Sequence, residues 1–212
     1  MSPHNNPPPP WWESGKQHVC ARDPILAAII DQYGPEAHLV SLNDPWRTLV
    51  RSVVSQQIST HAANAIWERL NQHNLTSSPG PIIQTPEADL RALGLSGRKV
   101  EYLQNLASWI QDQDQDFLVK GDWSQVRTSL IAQRGIGPWS CQMFAMFCRL
   151  EPDELPLADI GLHKALSCHY ALDIKNKSHE TKIQALSQKW APYRTLATWY
   201  LWRSLDPYPI AY

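Results

Sequence analysis

Two stretches hold the residues whose types and spacing could do chemistry: LIAQRGIGPWSCQMF, residues 130–144, and LPLADIGLHKAL, residues 155–166. In the first, Gly135, Ile136 and Gly137 precede Pro138 between two apolar, helix-forming runs. Glycines reach positive φ at little steric cost and leave their amides approachable. Proline suits the first position of a helix, where its missing N–H is no loss. The segment therefore reads as helix, tight turn, helix, a geometry whose amides and helix dipole form a nest for an anion such as a nucleic-acid phosphate. A plain helical corner would use the same residues. In the second stretch Asp159 stands 22 residues after Gly137, just before a helical pattern. It reads as an N-cap, and equally as a carboxylate held where it can face positive charge.

The elements that must position these groups are helical. Ile25, Leu26, Ile29 and Ile30 follow Asp23-Pro24 at helical spacing, and Trp46, Leu49, Val50, Val53 and Val54 repeat the period. Ala62, Ala65, Ile66 and Leu70 continue it after Ser59, a capping residue. A run over 90–95 ends at Gly94 and Gly97, and Val100, Leu103, Leu106 and Ile110 mark a helix over 99–110. Residues 111–122 read as a polar connection. Helices over 160–170 and around 180–203 follow the hairpin. Strand alternation is missing, so the expected class is all-α.

Bulk properties bound the partners. A net charge of -1 is low for a nucleic-acid binder, but Lys164, Lys175, Lys177 and Lys182 gather between residues 163 and 182 against Asp173 and Glu180. Arg91, Arg98 and Lys99 form a second small group. Cys20, Cys141, Cys148 and Cys168 are scattered without a metal-binding or disulfide pattern. Cys141 and Cys148, seven apart, are expected on one buried helical face. No apolar run approaches the roughly 20 residues of a membrane helix, and no leader pattern opens the chain. The expectation is a cytoplasmic protein with no membrane partner. The first ten residues, MSPHNNPPPP, read as a disordered or polyproline-like tail.

The order of motifs resembles the helix–hairpin–helix DNA glycosylase superfamily, and within it 3-methyladenine DNA glycosylase II. QRGIGPWSCQMF followed by LPLADIGLHK carries the likeness, with LVRSVVSQQISTHAANAIWERL (49–70) and KWAPYRTLATWYLW (189–202) in the family's order. The resemblance implies two helical lobes with the active site between them, residues 45–125 forming much of one lobe and the N-terminal segment plus 126–212 the other. The small sheet domain that precedes the helices in some members is not expected here, since nothing before Trp11 could form it. The resemblance places the catalytic aspartate at Asp159 and a base pocket at Trp139, Trp202 and Met143. Contacts to double-stranded DNA fall to Gly135, Ile136, Gly137, Ser140, Gln56, Gln57 and Lys164, with Gln57 as the wedge into the duplex. An indole face attracts a cationic purine by about 0.5–2 kcal/mol. Bifunctional relatives carry a lysine two positions after the second glycine, where this chain has Trp139. Some relatives also hold an iron–sulfur cluster on clustered cysteines. The expectation is thus a monofunctional, monomeric glycosylase with no cofactor and no side-chain metal site, and a possible monovalent cation on the hairpin backbone. A non-catalytic helix–hairpin–helix DNA-binding protein is the alternative.

Overall fold

A computed structural model describes residues 7–34, 37–41 and 43–206. Among them every regular element is helical: α1 (Trp12–Cys20), α2 (Pro24–Asp31), α3 (Pro45–Ser55), α4 (Thr60–Gln72), α5 (Pro79–Gln84), α6 (Glu87–Ala92), α7 (Gly97–Gln111), α8 (Gln115–Lys120), α9 (Trp123–Ile131), α10 (Pro138–Phe144), α11 (Ile160–Tyr170), α12 (Glu180–Trp190) and α13 (Arg194–Leu205). The all-α class is borne out. A short π-helical turn, Ala145–Arg149, continues α10.

Local chemistry sets most starts. Asp23, Asp44, Ser59, Ser96, Asp122 and Asp159 each accept a first-turn amide of the helix that follows. Two expectations are corrected by the same rules. The connection over 111–122 contains α8, capped by Asp114 and anchored by buried Leu118. The helix expected around 180–203 is two helices, because Pro192 has no N–H to continue the ladder. The tail lies partly outside the described residues. Within them Pro9 is buried and its carbonyl accepts the Trp12 amide, so the chain is already packed there. No helix among the described residues is long and apolar enough to cross a membrane.

The chain divides into two compact units, Met1–Ser41 with Leu150–Ala211, and Leu42–Arg149. The division falls after Arg149, not near residue 126. The reason is burial: Val126, Leu130, Ile136, Cys141 and Phe144 all enter the core that α3 and α7 share. The hairpin thus belongs with residues 42–125. Cys141 and Cys148 are both buried in that core, as their spacing leads one to expect, although the π turn Ala145–Arg149 interrupts the regular helix. Burial pushes the Cys148 thiol up to about 12.

In the other unit, Trp12, Trp199 and Tyr200 pack edge-on or tilted at 4.9–5.7 Å. Asp23 does more than cap α2. It is 3% exposed, and its Oδ2 accepts the Tyr170 hydroxyl at 2.8 Å and the Trp190 indole N–H at 2.7 Å. One carboxylate therefore ties α2 to the ends of α11 and α12, satisfying two buried donors that would each cost about 1–3 kcal/mol unpaired. Burial, together with the bond to Asp23, holds the Tyr170 phenol well above its ordinary value.

Candidate active site

Asp159 is positioned from both sides. At the start of α11 its Oδ1 accepts the Leu162 amide at 2.8 Å. The same oxygen accepts the indole N–H of Trp202, on α13, at 2.8 Å. Trp202 is 6% exposed. Between them lies Gly161, where a Cβ would come within 3.0 Å of both Asp159 Oδ1 and the Trp202 ring. A methyl group there would press the acid and the indole apart.

The loop leading to Asp159 is held by the same α13. Arg194 grips Asp153 with two bonds, Nε to Oδ1 at 2.6 Å and a terminal nitrogen to Oδ2 at 2.7 Å, the bidentate geometry that makes such pairs strong. One residue on, the Thr195 hydroxyl donates to the Glu151 carbonyl and accepts the Glu154 amide. His163 Nε2 lies 2.6 Å from the Leu157 carbonyl. The first turn of α13 fixes the start of the loop, and Trp202, seven residues on, fixes its end. Leu157 and Ile160, the latter 63% exposed, leave an apolar surface beside the acid.

The hairpin occupies the other unit, between α9 and α10. Gly135 adopts φ +92, and a Cβ there would fall 2.3 Å from the ring of Tyr102 on α7. Only glycine fits over that ring. Gly137 differs from expectation. Its φ is -101, open to any residue, and nothing lies within 4 Å of its Cβ position. Its side is open space, which suits close approach rather than a special backbone.

The other candidate residues divide into those turned inward and those left at the surface. Ile136 is 4% exposed with its side chain in the core, and its amide donates to the Gln133 carbonyl. Ser140 is buried and accepts the Gln56 amide nitrogen at 2.9 Å. Gln56 also donates to the Gly135 carbonyl at 2.8 Å. These three therefore brace the hairpin from within. Gln57 is exposed with φ +57. Trp139 is half-buried at the start of α10, and Met143 lies one turn on at 1% exposure. Lys164 is exposed on α11. The spacing of residues does not single out Gly161, Tyr102 or the bonds of Lys99; the glycine after Asp159-Ile160 is the one available signal. Among the described residues no group of His, Cys, Asp and Glu is placed to hold a metal ion.

Known proteins share this chain's sequence and its fold. The profile of the HhH-GPD superfamily of base excision DNA repair proteins matches residues 50–192, well over half the chain. The chain is 31% identical, over 92% of its length and 71% of the other's, to a Bacillus subtilis protein carrying the provisional name DNA-3-methyladenine glycosylase YfjP. The crystal structure of a DNA-3-methyladenine glycosidase from Bacillus halodurans is 30% identical, with a TM-score of 0.69 over 91% of this chain and 89% of that one. The fold is shared as well with Schizosaccharomyces pombe 3-methyladenine DNA glycosylase bound to abasic DNA, at 24% identity and a TM-score of 0.77, covering 92% and 98% of the two chains. With its hairpin and capped aspartate on helices of that fold, the chain belongs to the HhH-GPD superfamily of base excision DNA repair proteins.

Proposed function

We propose that this protein is a monofunctional DNA N-glycosylase that releases alkylated purines, such as 3-methyladenine and 7-methylguanine, from duplex DNA and leaves an abasic site. The observation that carries the reading is the Asp159 carboxylate, fixed at its Oδ1 by the Leu162 amide and the Trp202 indole. Cleaving the bond between C1′ and the base builds positive charge on the sugar. A preorganised carboxylate stabilises that charge without reorganising at the moment of reaction. The bonding electron pair leaves with the base, water adds to C1′, and the water's proton passes to Asp159 or to solvent. A purine alkylated at N3 or N7 is cationic and departs neutral, so it needs no second acid.

Recognition follows from the same groups. The base leaves the stack at a cost of a few kcal/mol, with Gln57 filling the gap. The indole of Trp202, bonded to Asp159, favours a cationic purine over a neutral one. The amides of Gly135 and Gly137 meet a phosphate, aided by Lys164 elsewhere on the strand. The carbonyls of Gln133, Gly135 and Gly137 each accept one hydrogen bond. A carbonyl has two lone pairs, so these oxygens suit a monovalent cation.

Monofunctional action rests on Trp139, which holds the position from which a lysine would form a Schiff base with the sugar. Borohydride added during turnover on methylated duplex is expected to trap no protein–DNA adduct on a denaturing gel. An adduct would show that some amine of the chain attacks C1′.

A further inference from the structure

We infer that Lys99, through the turn it holds, is a positioning residue for the insertion of Gln57 into duplex DNA, and that α7 locks that turn and the hairpin into one element. This rests on the glycosylase reading and adds to it a residue whose role is specific to base-paired substrate.

The bonds are these. Lys99 Nζ, half-buried, donates to the carbonyl of Val54 at 2.8 Å and to that of Gln56 at 2.9 Å. Both carbonyls lie at the C-terminus of α3, where the last carbonyls have no partner within the helix and the dipole favours a cation. The ammonium therefore closes the end of α3 where the chain turns into Gln57, whose φ of +57 is unusual for a residue with a side chain. Such a conformation persists only when its surroundings impose it, and the Gln56 carbonyl held by Lys99 belongs to the peptide group that enters Gln57. The Gln56 side chain then carries the restraint onward, to the Gly135 carbonyl and the Ser140 hydroxyl.

Other residues of α7 reach the hairpin directly. Tyr102, three residues after Lys99, is the ring beneath Gly135. Glu101 pairs with Arg134, the residue before Gly135, at 2.6 Å. One helix thus sets the insertion turn with an amine and the hairpin turn with a ring, and adds an exposed ion pair beside the hairpin. Burial lowers the pKa of Lys99 from its ordinary value, a cost consistent with an amine placed for its bonds rather than for surface charge. If the turn were free to relax, Gln57 would have to be ordered during base eversion, and that ordering would slow duplex repair without touching the chemistry at C1′.

The test compares single-turnover release of 7-methylguanine from duplex and from single-stranded DNA. Lys99→Met is expected to slow duplex release by roughly 10–100-fold and single-strand release by about threefold or less. Lys99→Arg, which keeps charge and donors, is expected to recover at least about a tenth of the wild-type duplex rate. In a cycle with Gln57→Ala, the double variant should be no more than about threefold slower on duplex than the slower single variant, since both losses act through one turn. Equal losses on both substrates, or effects that multiply in the cycle, would overturn the inference. Wild-type protein that releases no base from either substrate would instead sink the glycosylase reading itself. Should Lys99→Met fail to melt cooperatively, Lys99→Gln replaces it under the same criteria: loss confined to duplex release supports the role, and equal loss on both substrates, or no loss on either, overturns it.

Discussion

Asp159→Asn is expected to reduce base release from methylated duplex by at least about 100-fold while leaving the fold and DNA binding in place. The substitution is chosen because it separates the two uses of the side chain. Asparagine caps a helix as well as aspartate does, so its carbonyl oxygen can keep both bonds now made by Oδ1, from the Leu162 amide and the Trp202 indole. What it removes is charge. Losing one preorganised stabiliser of a developing charge costs about 10²–10³ in rate, or about 2.7–4 kcal/mol. Single-turnover release measures the loss, fluorescence anisotropy the retained binding, and a thermal melt the retained cap. Release within a few-fold of wild type would leave Asp159 as a cap and nothing more.

The second large effect concerns the hairpin, where two glycines are expected to fail differently. Gly135→Ala places a methyl group 2.3 Å from the Tyr102 ring at a φ of +92. The backbone strain is about 1–3 kcal/mol and the overpacking about another 1–3 kcal/mol. At roughly 2–4 °C per kcal/mol for a chain of this size, the melting temperature should fall visibly. Gly137→Ala meets nothing within 4 Å and needs no unusual φ, so it should melt like wild type. If the open side of Gly137 is where a phosphate backbone approaches, that methyl should weaken DNA binding nonetheless. A Gly135 variant of unchanged stability would contradict the packing described for the turn, and a Gly137 variant with full DNA affinity would move the phosphate elsewhere.

Much of this is legible in the residues because it is local. Asp23, Ser59 and Asp159 cap helices through partners two or three residues away, and Gly135 turns the chain where a turn is expected. What escapes is set by distant partners. Lys99 meets carbonyls 45 and 43 residues earlier, and Gln56 meets the hairpin 79 and 84 residues later. Their sequence neighbourhoods show only a basic cluster and a polar pair. The unit boundary at Arg149 escapes for a like reason, since the burial of α9 and α10 against α3 and α7 leaves no mark in composition. The buried placement of Ser140 and Ile136 also depends on that packing. Gly161 is visible as a residue but not as a need, because the Trp202 indole that requires it lies on α13.

The central claim is that a carboxylate on α11 breaks an N-glycosidic bond and the protein then stops. It is tested most directly by incubating the full chain with an end-labelled duplex carrying one 7-methylguanine, then resolving free base by chromatography and strand by denaturing gel, before and after alkali. The account predicts free 7-methylguanine in step with strand breaks that appear only after alkali. An intact base on duplex that the protein nevertheless binds would contradict it, and would favour a helix–hairpin–helix protein that grips DNA without acting on it.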